Sequence, residues 1–121
     1  MVSRMTFQVL ALIGGTLLCA GAARAESADS ECCGPLDYHV EQNGDIFGLY
    51  PKQSGRIEGS VARDGSAIGL WFQPRSDHPC TKSQGGTLAW GHFVIRHVAT
   101  PEMSGEWGYC DEVPTRKWGF H

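Results

Sequence analysis

Histidine and cysteine are the residue types in this chain that bind metals or carry redox chemistry, and their spacing argues against a metal site. No C-x-x-C, H-x-H or H-E-x-x-H arrangement occurs, so a zinc site would have to be assembled entirely by the fold. Cys32 and Cys33 could join such a site only if they were reduced. We therefore predict no metal site and no cofactor. The five histidines are expected to be exposed to solvent or hydrogen-bonded: His39, His78, His92, His97 and His121.

Hydrolytic chemistry requires a nucleophile held beside a base. Ser104, His92 and Asp111 are candidates by residue type alone, because no nucleophile-elbow pattern surrounds any serine. The adjacent carboxylates of Asp111 and Glu112 are typical of solvated charge in a loop rather than of a glycosidase pair. The sequence thus predicts a protein that is not an enzyme.

Aromatic residues are the strongest candidates for binding. Indole and phenol rings combine apolar area with a polar handle, so they can line the mouth of a barrel and stack on a flat or sugar-like ligand. Core packing is the competing interpretation and is favoured for a small domain, although both can hold for different rings. The candidate binding residues are Tyr50, Trp71, Trp90, Trp107 and Trp118.

A glycine stands two residues before an aromatic ring three times, in Gly48-Leu-Tyr50, Gly69-Leu-Trp71 and Gly105-Glu-Trp107. Residues two apart in a strand point to the same face of the sheet. Glycine allows the backbone to bend or to approach a neighbour closely. The repeat predicts β-hairpins in which the three rings share a face with their glycines.

Short strands separated by turns must position these rings. Sixteen glycines and six prolines, with no window of sustained helical periodicity, indicate an all-β chain. Short turns predict a small antiparallel up-and-down meander that curls into a closed or nearly closed barrel of about seven strands, because closure removes exposed edges. An open sandwich is the alternative. The predicted strands are 37–42, 46–50, 56–63, 67–73, 87–98, 103–109 and 116–120.

Alternation along the fifth predicted strand separates its side chains into two faces. His92 and Arg96 lie an even number of residues apart and share a face, opposite Phe93 and Ile95. Trp90 shares the face of His92, so this face is predicted to be mixed or to change character along the strand.

The N-terminal residues have the features of a secretory signal peptide. Arg4 supplies positive charge, residues 9–18 are apolar, and Ala23-Arg24-Ala25 forms an A-x-A cleavage site. The apolar stretch is too short for a permanent span, so we predict no membrane anchor and a periplasmic or secreted location. The predicted organisation is a signal peptide at 1–25, a flexible segment with the Cys-Cys pair at 26–35 and a β-barrel domain at 36–121.

Cleavage would leave 96 of the 121 residues, which suits one small domain. Eight basic and thirteen acidic side chains would remain, for a formal net charge of −5. With this acidic balance and no basic stripe, nucleic acid and anionic membranes are poor partners. The sequence leaves the oligomeric state open.

Cleavage would also remove Cys19 and leave four cysteines: Cys32, Cys33, Cys80 and Cys110. Exported compartments are oxidising, so two disulfides are expected, and a domain this small gains from such cross-links. A bond between the neighbours Cys32 and Cys33 would close a cramped ring. We therefore predict that each of them is bonded to Cys80 or to Cys110, without assigning which.

The chain carries a series of strand motifs: Asp45-Ile-Phe-Gly-Leu-Tyr50, Ile57-Glu-Gly59, Gly69-Leu-Trp71, Leu88-Ala-Trp-Gly-His-Phe93, Met103-Ser-Gly-Glu-Trp107 and Trp118. Their order resembles that of avidin-like, calycin-type small barrels. It also resembles small exported bacterial β-proteins of no assigned function, which share glycine–aromatic hairpins and a tryptophan near the C-terminus. The resemblance implies a barrel but no ligand, because the residues with which avidins hold biotin have no position-by-position match here and the tryptophan-containing opening strand is missing.

Together these features predict an exported, non-enzymatic binding protein that holds a small molecule or a protein through one barrel end and its loops. The loops at 51–55, 74–86 and 111–115 would carry recognition if they gather at one end. One alternative is a protein-interaction or inhibitor module that presents the rigid loop around Cys80. Another is a periplasmic metal or redox protein that uses Cys32 and Cys33.

Overall fold

The computed structural model describes residues 24–121, which form one antiparallel sheet that curls into a half-barrel. Its eight strands are in sequential order, and each is hydrogen-bonded to its neighbours along the chain. The predicted signal peptide lies, up to residue 23, outside the described residues. The strands are β1 (Arg24–Ser30), β2 (Gly34–Val40), β3 (Asp45–Tyr50), β4 (Gly55–Val61), β5 (Ala67–Gln73), β6 (Ala89–Arg96), β7 (Ser104–Trp107) and β8 (Arg116–Gly119), with a 3₁₀ turn at Pro51–Gln53.

The predicted all-β class and up-and-down order are confirmed, with one strand more than expected. Strands β2 to β8 overlap the seven predicted segments, whereas β1 lies largely in the segment predicted to be flexible. The residues of β1 are alanines and polar or charged residues, which have low β-propensity. The strand forms because β2 offers it a full row of backbone donors and acceptors, from the pair Arg24–Val40 to the pair Ser30–Gly34.

The first and last strands meet at one end of the half-barrel. Ser30 and Phe120 form an isolated antiparallel bridge, and a backbone hydrogen bond of 3.0 Å flanks it on each side. Over the rest of their length β1 and β8 share no ladder within residues 24–121. The sheet is therefore joined edge to edge at a single point.

The inner face of the half-barrel carries the main hydrophobic core. Alternate residues of each strand point inward, as expected for a sheet with one buried face. The rings of Trp71, Phe93 and Trp118 fill its centre with aliphatic side chains around them. The buried members are Leu36, Tyr38, Ile46, Tyr50, Ile57, Ala67, Trp71, Phe93, Ile95, Met103 and Trp118.

A second, smaller cluster lies on the outer face. Trp71 of β5 is paired with Gly91 of β6, so these two positions share the inner face. Phe72 and Trp90, each one position away, consequently point outward. Both are buried because the connection 74–88 folds over them, and its Cys80 belongs to the same buried cluster.

The structure confirms two disulfides, but the predicted pairing is wrong. Cys32 is bonded to its neighbour Cys33, and Cys80 is bonded to Cys110. Topology separates the two pairs, because Cys32 and Cys33 form the turn between β1 and β2 while Cys80 and Cys110 meet in the outer cluster. The Cα atoms of Cys80 and Cys110 are 5.6 Å apart, a distance typical of disulfides.

Candidate ligand-binding cavity

The connections that follow the odd-numbered strands gather at one end of the half-barrel. Because successive strands are antiparallel, β1, β3, β5 and β7 run in the same direction and the chain leaves all four at the same end. These connections are residues 31–33, 51–54, 74–88 and 108–115. The loops expected to carry recognition are therefore together, and the Cys32–Cys33 turn lies beside them.

A cavity of about 380 Å³ opens at this end. Four of the five candidate aromatic residues line it: Tyr50, Trp71, Trp107 and Trp118. Tyr50 ends β3, Trp107 ends β7 and Trp71 lies near the end of β5. Because these three alternate strands run in the same direction, they bring their rings to the same end of the half-barrel. All three rings belong to the inner core or pack against it, which confirms the shared face of the glycine–aromatic motifs.

Tyr50 and Trp71 each face a glycine on an adjacent strand, which leaves room for the ring to lie against the sheet. Gly55 is the cross-strand partner of Tyr50, and a Cβ there would lie 2.0 Å from Cζ of the tyrosine ring. Gly91 is the partner of Trp71, and its Cβ would lie 2.6 Å from the indole Nε1. That Nε1 donates a hydrogen bond of 3.0 Å to the carbonyl of Gly108. Both rings are thus held in fixed positions.

The rings around the cavity are arranged nearly perpendicular to one another. Trp71 and Trp107 meet at 88° with centroids 5.8 Å apart, and Tyr50 and Trp118 meet at 71° with centroids 5.9 Å apart. Tyr109, a cavity residue that the sequence analysis missed, meets Trp107 at 84° and 4.9 Å. Edge-to-face contacts of this kind are favourable because the positive ring edge meets the negative ring face.

Polar side chains complete the lining. The Tyr50 hydroxyl donates to Oε1 of Gln73 over 3.0 Å, and Nε2 of Gln73 donates to the backbone carbonyl of Arg75 over 3.2 Å. Burial raises the pKa of Tyr50, so its hydroxyl stays protonated at neutral pH. Of the polar lining residues only Gln73 belongs to a strand; the others lie in turns and loops, where the sequence has no periodicity that predicts the direction of a side chain. The polar lining residues are Gln53, Gln73, Arg75, Ser76 and Asp77.

The Cys32–Cys33 disulfide forms part of the same lining. Cys32 is exposed at the rim, and Cys33 is half-buried and packs against the inner core. Nε2 of Gln53 lies 3.5 Å from the carbonyl oxygen of Cys32, which joins the 3₁₀ turn after β3 to the turn after β1. The disulfide is therefore placed where a bound molecule would touch it.

Trp90 is the candidate that the structure leaves outside the cavity. It lies on the outer face, buried in the second cluster, and its indole Nε1 donates to the carbonyl of Lys82 over 2.8 Å. The signal was present in the sequence, since Trp90 shares the face of His92 and not that of Phe93. Its role in the described structure is to pack the connection 74–88 onto the sheet.

The residue types of a hydrolase are not brought together. Nε2 of His92 lies 3.5 Å from a carboxylate oxygen of Asp111 on the outer face. Ser104, however, is paired with Arg96, four residues further along β6, which is about 13 Å of strand. Nothing in residues 24–121 groups three or more histidine, cysteine or acidic side chains as metal ligands. The same residues include no helix long and apolar enough to cross a membrane.

Comparison with family models, curated proteins and solved structures finds no match to this chain. The resemblance to avidin-like barrels therefore rests on the strand motifs of the sequence alone. The class of protein that the fold and the cavity define is a small, disulfide-containing, all-β protein with an aromatic-lined cavity at one end.

Proposed function

We propose that this protein is an exported, non-enzymatic binding protein that holds a small molecule in the cavity at the loop-rich end of the half-barrel. One observation carries the proposal: Tyr50, Trp71, Trp107 and Trp118, from four different strands, line one cavity together. Its volume of about 380 Å³ suits a small ligand, because binding pockets in proteins span about 300–1,000 Å³.

The rigidity of the rings supports the proposal. Tyr50, Trp71 and Trp118 are each at most 4% exposed, and the first two are also held by hydrogen bonds. A ligand that meets side chains already held in place does not have to order them, so more of the contact energy appears as affinity. Mobile aromatic side chains at a surface would lack this advantage.

Export and closure of the barrel belong to the same proposal. Both disulfides are compatible with an oxidising compartment outside the cytoplasm. The bridge between Ser30 and Phe120 supports closure of the half-barrel into a barrel, since it already aligns β1 with the end of β8. A closed barrel would shield the cavity on the side where β1 and β8 approach each other.

Mass spectrometry of the protein purified from an exporting host tests the proposal. Under gentle conditions we expect an added mass of a few hundred daltons that disappears under denaturing conditions. The Trp107→Ala variant should lose this mass, because Trp107 lines the cavity; it is half-buried, so its removal disturbs the core less than removal of the fully buried Tyr50, Trp71 or Trp118 would. Phe47→Ala is the matched control, since Phe47 is 39% exposed on the outer face of β3.

Absence of a retained molecule, together with unchanged tryptophan fluorescence across a broad panel of small molecules, would contradict the proposal. The protein-interaction alternative would then take its place, and one observation favours it. The connection 74–88 is tied to the sheet by the Cys80–Cys110 disulfide and presents Leu88, while the neighbouring connection presents Val113, at 47% and 76% exposure respectively.

The redox alternative has its own discriminating measurement. Cys32 and Cys33 are bonded to each other at the cavity rim, where Cys32 is exposed to solvent. Titration of the exported protein without reductant should find no free thiol if the bond is structural. Two reactive thiols per chain would favour redox or metal chemistry at this turn instead.

A further inference from the structure

The chemistry of the cavity lining indicates the class of its ligand. Resting on the proposed function, we propose that the ligand is an uncharged saccharide whose pyranose ring lies against the indole and phenol rings and against the Cys32–Cys33 disulfide.

The ring orientations disfavour a planar aromatic ligand. A flat heterocycle is best held in a slot between two nearly parallel rings, but the contacts between cavity rings are nearly perpendicular, at 71°, 88° and 84°. Such walls form no parallel-sided slot between these rings. A pyranose fits this shape, because it is three-dimensional and its C–H groups, polarised by the neighbouring oxygens, meet the negative faces of aromatic rings.

The polar lining groups match hydroxyls and not a charged ligand. Arg75 and Asp77 contribute one positive and one negative charge to the cavity, so it has no net charge. The amides of Gln53 and Gln73 each donate and accept hydrogen bonds. A sugar hydroxyl also does both, and neighbouring hydroxyls present the alternating donors and acceptors that such side chains satisfy.

Two buried polar atoms of the lining residues have unused hydrogen-bonding capacity. Nε1 of Trp118 is buried and has no hydrogen-bond partner within the described part of the chain. An unpaired buried donor costs about 1–3 kcal/mol, and a ligand oxygen would remove that cost. The Tyr50 hydroxyl donates to Gln73, which leaves its oxygen able to accept a hydrogen bond from a ligand hydroxyl.

The disulfide supplies an apolar surface without hydrogen-bond donors. Its sulfurs are polarisable and weak acceptors, so they pack against C–H groups in preference to hydroxyls. Cys32 and Cys33 line the same cavity as the rings. The apolar face of a pyranose can therefore contact sulfur at the rim and aromatic carbon further in, while its edge meets the polar loop residues.

Saturation-transfer NMR and tryptophan fluorescence with glucose, galactose, mannose and N-acetylglucosamine test this inference on the folded, oxidised protein. We expect saturation of the sugar ring protons and saturable binding of at least one sugar. Asp77→Ala and Trp107→Ala should each weaken that binding about tenfold, which corresponds to 1.4 kcal/mol. Asp111→Ala and Phe47→Ala are the matched controls, since neither residue lines the cavity, and they should leave the affinity unchanged.

The double variant Cys32→Ser/Cys33→Ser tests the disulfide surface and leaves the Cys80–Cys110 bond in place. It should weaken sugar binding, and an unchanged affinity would overturn the role assigned to the disulfide. If gentle mass spectrometry finds a retained molecule but no sugar binds, or if adenine binds more tightly than every sugar, the saccharide inference is wrong while the proposed function stands. If nothing binds and nothing is retained, both fail.

Discussion

Replacing Gly55 with alanine places a methyl group inside the space of the Tyr50 ring. The added Cβ would lie 2.0 Å from Cζ and 2.1 Å from Cε2, whereas carbon atoms in contact are about 3.5–4.0 Å apart. A shift of the ring away from the new methyl group would disturb its edge-on contact with Trp118 and its hydrogen bond to Gln73, or would push it into the cavity.

The size of the effect follows from three contributions. Overpacking a filled core costs about 1–3 kcal/mol, and a displaced ring loses the hydrogen bond to Gln73, whose net value is about 0.5–1.5 kcal/mol. Alanine offsets part of this loss, since it is better than glycine in a strand by about 0.5–1 kcal/mol. The expected decrease in the free energy of unfolding is therefore about 1–3 kcal/mol.

Urea denaturation with the disulfides intact measures the decrease as a lower midpoint at an unchanged slope. Gly119→Ala is the matched control, because the nearest obstacle to its Cβ is the carboxylate end of the exposed Glu31 side chain, at 2.8 Å, which can move away. A double-mutant cycle with Tyr50→Leu isolates the clash, since leucine removes the ring. Equal stability of Gly55→Ala and wild type, or no coupling between positions 50 and 55, would refute this account of the ring position.

The other predictions concern the disulfides and Tyr50. The double variant Cys80→Ser/Cys110→Ser should lower the free energy of unfolding by about 3–4 kcal/mol, because that bond closes a loop of 30 residues. The Cys32–Cys33 bond closes a loop of almost no length, so the double variant Cys32→Ser/Cys33→Ser should lower the free energy of unfolding by about 1 kcal/mol or less. Equal losses of stability in the two double variants, measured in urea, would contradict this. Burial raises the pKa of Tyr50 above its unfolded value of about 10. Its contribution to stability is therefore complete below pH 10 and falls above it by up to about 1.4 kcal/mol per pH unit. Tyr50→Phe should flatten the pH dependence of stability above pH 10, and an identical slope in both proteins would show that Tyr50 ionises freely in the fold.

Strand positions and strand faces were predictable because alternation is a local property of the chain. Tyr50, Trp71 and Trp107 each follow a glycine by two residues, and the fold places all three on the inner face. Trp118 was identified by residue type alone and also lines the cavity. Trp90 was also a candidate for the cavity, although alternation puts it on the face of His92, and the structure places it in the outer cluster.

Features that depend on distant parts of the chain were not predictable. The strand β1 has no apolar alternation of its own and forms only because the edge of β2 is available. The predicted disulfide pairing was wrong because the pairing depends on which face of the sheet each cysteine reaches. Cys80 and Cys110 meet on the outer face, whereas Cys32 and Cys33 form the turn between β1 and β2. Tyr109 and Asp77 reach the cavity through loop conformations that no sequence period records.

The sequential strand order also determines when during folding the cavity can exist. Among the eight strands every ladder joins neighbours along the chain, so hairpins can form one after another with little loss of loop entropy. Trp118, which lines the cavity, and Phe120, which forms the bridge to Ser30, lie near the C-terminal end of the sheet. A nascent chain still lacking residues 116–121 can pair its first seven strands, but it has an incomplete cavity wall. The cavity wall is therefore complete only when β8 has paired with β7.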